Sequence, residues 1–85
     1  MNVLKDDLRG FFAESRAGHD KGEVFIIIGN TAEYADIADG KSRTISKPKR
    51  KNLKHLMIRK EKLAENTTFS NEEIKYAIKG LKRKG

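Results

Sequence analysis

The sequence predicts a mainly β domain, a small barrel of short strands, followed by one α-helix at the C-terminal end. Three observations lead there. Glu23 to Ile28 is a dense run of β-branched and aromatic residues, the composition of a strand. Glycine-bearing turn signals at Ala17–Gly22 and Asp39-Gly40 cut the chain into short segments. Ser70-Asn71-Glu72-Glu73 has the form of a capping box, and Ile74, Ala77, Ile78 and Leu81 follow at helical spacing.

Met1 to Gly10 mixes charges with Val3, Leu4 and Leu8 and reads as a lead-in segment, residues 1–10. Phe11–Arg16 is the first expected strand, and Ala17–Gly22 is the turn after it. In that turn Gly18 and Gly22 supply positive φ or close backbone approach, leaving His19, Asp20 and Lys21 at the tip. Glu23–Ile28 is the second strand; its unbroken apolar character suits burial on both faces, as in a small closed barrel.

Gly29, Asn30 and Thr31 are expected to end that strand, and Tyr34–Ala38 to resume as the next. Asp39-Gly40 is a hairpin signal, so Lys41–Ile45 is expected to return beside it. Pro48, the only proline, lacks a backbone donor and marks a strand end or edge. Leu53–Ile58 is the last expected strand. The barrel is thus placed at residues 11–60, and residues 61–85 are a linker, a helix over about Asn71–Gly80 or slightly beyond, and a basic tail. Acidic residues at the helix start and basic ones at its end fit the helix dipole. The apolar stripe on that helix is expected to dock on the barrel.

An 85-residue chain holds one small domain with a modest core. The absence of cysteine excludes disulfides, thiolate metal sites and thiol nucleophiles. No apolar run approaches the ~20 residues that span a bilayer, and the first residues lack the basic-then-apolar pattern of a signal peptide, so a cytoplasmic protein is expected, without a membrane partner.

Charge is the strongest functional signal. Lys plus Arg number 19 against 12 for Asp plus Glu, a formal net charge of +7. The excess is uneven: between Asp39 and Glu61 there is no acidic residue, while Lys41, Arg43, Lys47, Lys49, Arg50, Lys51, Lys54, Arg59 and Lys60 all fall there. A block of one sign collects anions, and nucleic acid is the commonest polyanionic partner. A solvated lysine-rich surface is the competing reading.

The stretch AGHDKGEVFIIIG, Ala17 to Gly29, resembles the KOW motif, a glycine-centred loop followed by an apolar strand. The match lies in Ala17, Gly18, Asp20, Lys21 and Gly22 and the strand behind them. Ile37 to Leu56 is similar to the short bacterial KOW-domain RNA-binding proteins, which are related to a group of ribosomal proteins. Asp39-Gly40-Lys41, Arg43, Pro48-Lys49-Arg50-Lys51 and Lys54-His55-Leu56 carry that second match. The resemblance implies an SH3-like barrel of the KOW type that binds RNA in a ribosomal or translational setting, with no catalytic residues and no cofactor. Where the family turn often carries Arg or Lys, this chain has His19.

On this reading the RNA-binding residues are Gly18, His19, Lys21 and Gly22 in the turn and Lys41, Arg43, Lys47, Lys49, Arg50, Lys51 and Lys54 in the basic block. The lysines act as point charges on phosphates, and the arginines as bidentate forks. With no Trp and few aromatic residues, backbone and shape recognition of folded RNA, ribosomal RNA above all, is expected over base reading; Tyr34 is the best candidate for an exposed stacking ring. The alternative function is a protein-interaction module taking an acidic partner on the same barrel. DNA-binding architecture is a third possibility, and the sequence leaves the oligomeric state open. His19 and His55 have no readable partners for acid–base chemistry or metal binding. GHDKG lacks the spacing and the Lys-Ser/Thr ending of a phosphate-binding Walker loop.

Overall fold

The computed structural model describes residues 7–63 and 70–84. Most of the expected lead-in lies outside the described residues, as do the side chains of the basic tail Lys82-Arg83-Lys84. Five strands form one antiparallel sheet: β1 Phe11–Ser15, β2 Val24–Asn30, β3 Tyr34–Ala38, β4 Lys49–Asn52 and β5 Leu56–Lys62. Their order across the sheet is β4-β3-β2-β1-β5. The helix, α1, spans Asn71–Lys84. The chain is therefore mainly β with a C-terminal helix, as the sequence predicts.

The connection between β4 and β5 shows that the sheet curls. These strands lie on opposite edges, which in a flat sheet stand about 19 Å apart at ~4.8 Å per strand step. Only a 3-10 turn, Leu53–His55, joins them, and three such residues advance about 6 Å. The two edges must approach each other at this corner, giving a barrel-like shape. Yet no ladder joins β4 to β5 among the described strands, so the sheet is not closed as the apolar run of β2 suggested. β4 has only four residues, which leaves little backbone to complete a seam.

Strand β2 explains why an uninterrupted apolar segment was needed. Its side chains alternate between two cores. Val24 and Ile26 join Phe12, Ala38, Ile74 and Ile78 on the face that α1 covers. Phe25 and Ile27 join Ala13, Ala35, Ile37 and Leu56 inside the curl. Both faces of the strand are buried, the outer one by the helix. Ser70 caps that helix by accepting the Glu73 N–H at 3.2 Å. Burying Ile74 and Ile78 contributes about 1.5–3 kcal/mol each, so α1 belongs to the core.

Three local expectations are corrected. β2 continues through Gly29 and Asn30, with an irregularity between Ile27 and Gly29. Lys41–Ile45 is a loop instead of a strand: the Asp39 carboxylate accepts the N–H groups of Lys41 and Arg43, both at 2.9 Å, which takes them from any ladder. The returning partner of β3 is instead β4, directly after Pro48. The segment expected as one strand from Leu53 begins as the 3-10 turn, and β5 then runs from Leu56 to Lys62. The helix starts at Asn71 and runs slightly beyond Gly80, to Lys84, as the sequence predicts.

Candidate nucleic-acid interface

The β1–β2 turn is a tight polar loop. Gly18 and Gly22 have φ of 84° and 90°, the left-handed region that glycine enters without a side-chain penalty. The Gly22 N–H donates to Ser15 O at 2.8 Å and the Glu23 N–H to Asp20 O at 2.9 Å, bending the chain back on itself. His19 and Lys21 are exposed, as the sequence predicts for a tip. Asp20 is not: only 14 % of its side chain is accessible.

Asp20 is turned inward onto β4. Its Oδ2 accepts from Lys49 Nζ at 2.7 Å, and its Oδ1 from Lys51 Nζ at 2.9 Å. The buried Ser15 hydroxyl lies 2.7 Å from the same Oδ1 and 3.0 Å from Ala17 O. Lys51 Nζ also donates to Ala17 O at 2.8 Å. The register explains the meeting. Lys49 stands opposite Ile37 and Lys51 opposite Ala35, and both of those partners face the interior of the curl. Two lysines thus project into the open end of the barrel, where one carboxylate from the opposing turn receives them. The result is an ionic clasp between the β1–β2 turn and β4.

The clasp sets the protonation state of Asp20. Burial by itself pushes the carboxyl up, but hydrogen bonds from Lys49, Ser15 and Lys51, with the charge of Lys49, more than reverse this and hold it well below the usual carboxylate range. Two ammonium groups share one carboxylate, so the cluster keeps a surplus positive charge. Lys51 is sealed in, with 10 % of its side chain exposed, whereas Lys49 retains 28 %.

The basic run Lys49-Arg50-Lys51 is therefore not one patch. Strand alternation sends Arg50 to the opposite face, where its Nε lies 3.3 Å from Asp36 Oδ1 and its guanidinium 6.0 Å from the Tyr34 ring centre. Tyr34 is partly exposed there, as expected. Lys41, Arg43, Lys47 and Lys54 are exposed, the first three on the β3–β4 loop and the last on the 3-10 turn. With Lys21 they hold no ion pair among the described residues. Arg59, also in the acid-free stretch, sits 3.6 Å from both Glu14 and Glu61.

The β3–β4 loop is held in place. Gly40 has φ of 83°, and a methyl group there would run into the backbone carbonyl of Asn71. The Asn71 side chain accepts the Ile45 N–H at 2.9 Å, tying the loop to the start of α1. Lys41, Arg43 and Lys47 thus ride on a fixed frame. Of the sequence-predicted cations, five are presented to solvent with no ion pair among the described residues, Arg50 is exposed beside Asp36, and Lys49 and Lys51 are drawn onto Asp20. Asp20 itself was missed as the organising residue. No group of three or more His, Asp or Glu side chains arranged to hold a metal occurs among the described residues. No helix among them is long and apolar enough to cross a membrane.

No family model matches the chain, and a search of curated proteins finds no match either.

Proposed function

We propose that this chain is a non-enzymatic RNA-binding protein of the cytoplasm, acting in a ribosomal or translational setting on structured RNA, with ribosomal RNA the foremost candidate. The observation that carries the reading is the group Lys21, Lys41, Arg43, Lys47 and Lys54. All five are exposed and lack a counter-ion among the described residues. With no direct ion pair to give up, they gain by displacing counterions from a phosphate backbone.

The clasp supports this reading by fixing geometry in advance. It pins the β1–β2 turn onto β4, the strand that Lys47 precedes and Lys54 follows in the chain. Less conformational freedom is then lost on binding. The N–H groups of Gly18 and His19 have no acceptor among the described residues and lie in the same exposed turn. Successive backbone donors in a turn can form a concave anion site, which offers phosphate oxygens a contact here. In this mechanism Lys49 and Lys51 contribute the surplus charge of the clasp, and their structural role comes first.

The test is a titration of a fluorescently labelled folded RNA fragment at about 50 and 200 mM salt. Replacing Lys21, Lys41, Arg43, Lys47 and Lys54 by Ala should weaken binding. It should also lower the slope of log K against log salt by up to about 0.9 for each phosphate no longer neutralised. Equal affinity and equal slope for the two proteins would remove these residues from the site.

A further inference from the structure

Between α1 and the adjoining end of the sheet lies a groove of about 510 Å³, lined by residues from the start of β2, the β3–β4 loop and the helix. Its floor is apolar, made by Val24 and Ile78. Lys41 stands on the loop side and Lys75 and Lys79 on the helix side. Tyr76 also lines it and is 78 % exposed, the most exposed large hydrophobic residue of those described. Nothing in the fold requires an aromatic ring at that position, since the helix docks through Ile74 and Ile78.

We infer that this groove is a nucleotide-binding site, in which a single unpaired base of the RNA stacks on Tyr76 while its phosphate meets Lys41, Lys75 and Lys79. The inference rests on the RNA-binding reading and deepens it, because that reading invokes only contacts to phosphate. Groove volume, ring and cations converge on one ligand chemistry. The space is within the range of small-molecule sites. An exposed ring is a stacking platform for any base, and none of the three lysines has an ion pair among the described residues.

The carboxylates that share the groove refine the ligand. Glu23, Asp39 and Glu72 line it too, so its charges balance and it is not a track for a bare phosphate backbone. Asp39 Oδ1 is already engaged by the N–H groups of Lys41 and Arg43. Glu23 and Glu72 remain as acceptors, the partners suited to an exocyclic amino group on a base edge. A ligand with one anionic group, one aromatic face and an amine-bearing edge matches that inventory, and cytidine, adenosine or guanosine monophosphate fits the description. The walls do not need to assemble on binding. Gly40 is packed against Asn71 and Lys75, and Asn71 holds the loop through Ile45.

The intrinsic fluorescence of tyrosine provides the test, because the chain has no Trp and only two Tyr. In the full chain carrying Tyr34→Phe, Tyr76 is the sole tyrosine emitter. Titration with cytidine monophosphate, and with a single-stranded oligocytidylate, should quench it saturably. Adding Tyr76→Ala should weaken oligocytidylate binding, measured by anisotropy of a labelled strand, by at least about fivefold. Affinity for a perfectly paired RNA duplex should stay the same. Tyr76→Phe retains a ring and should retain the affinity. Because Tyr76 is exposed, these variants leave the core intact.

Loss of affinity in Tyr76→Ala for strand and duplex alike, or for neither, would overturn the inference. So would equal quenching by polyglutamate of the same charge, which would assign the groove to acidic protein chains. Nucleotide quenching in a protein that binds no RNA would sustain the groove and refute the broader RNA reading. RNA binding with no quenching would do the reverse.

Discussion

Replacing Asp20 by Asn probes the clasp with the least change in shape. The amide oxygen can still accept from Ser15 and Lys51, but the amide nitrogen then faces the Lys49 ammonium, donor against donor. A hydrogen bond to a charged group contributes about 1.5–3 kcal/mol, and removing one partner of a fully buried ion pair costs about 3–5 kcal/mol. The upper figure does not apply, because Lys49 is 28 % exposed and can turn to water. Lys51 is confined and keeps Ala17 O, so its loss is partial. The expected destabilisation is about 2–3 kcal/mol, a large share of the 5–15 kcal/mol available to a small domain. It corresponds to a fall in melting temperature of roughly 10–20 °C. Urea unfolding at pH 7 measures it directly. The pH dependence supplies an independent check. The folded pKa of Asp20 is depressed, so its contribution is complete above the unfolded value of about 3.9 and is lost as pH falls below that value toward the folded one. The wild type should therefore lose stability below about pH 4–5 more steeply than Asp20→Asn. A variant within about 0.5 kcal/mol of wild type at pH 7, the ordinary range for surface substitutions, would refute the clasp.

Other perturbations separate the remaining supports. Gly40→Ala should cost more than about 2 kcal/mol, because left-handed backbone strain of about 1–2 kcal/mol is joined by a collision with the Asn71 carbonyl. Gly22→Ala has open space around it and should cost the strain alone, about 1–2 kcal/mol, in the same unfolding assay. Ile74→Ala should cost about 2–5 kcal/mol, with loss of helical circular dichroism ahead of the sheet signal if α1 detaches first. Ser70→Ala should cost about 1 kcal/mol and leave the sheet unaffected.

Much of the fold was legible from local pattern. The apolar run of β2 required cover on both faces, and the curl and α1 provide it. The capping box at Ser70 and the stripe through Ile74 and Ile78 located the helix and the face it buries. Tyr34–Ala38 emerged as a strand with the predicted limits. What local pattern did not reveal was register between distant segments. Lys49 and Lys51 are charged in sequence, but pairing opposite Ile37 and Ala35 turns them inward, and that pairing depends on which strand follows Pro48. The same blindness hid Asp20, whose partners lie 29 and 31 residues away. The alternation Lys-Arg-Lys did carry a clue, since residues two apart in a strand share a face. Lys41–Ile45 misled because Asp39-Gly40 is a turn signal both for hairpins and for the Asp-capped loop that forms here. The candidate site followed the same division. The exposed turn and loop cations were visible in sequence, whereas the separation of Arg50 from its neighbours was not.

The most direct test of the proposed interface is amide chemical-shift mapping of the full chain during titration with a folded ribosomal RNA fragment. Shifts should concentrate at Gly18–Gly22, Lys41–Lys47 and Arg50–Lys54 and be attenuated as salt is raised. Shifts confined to β5, or none at RNA concentrations that saturate a known RNA-binding control, would contradict the proposed interface.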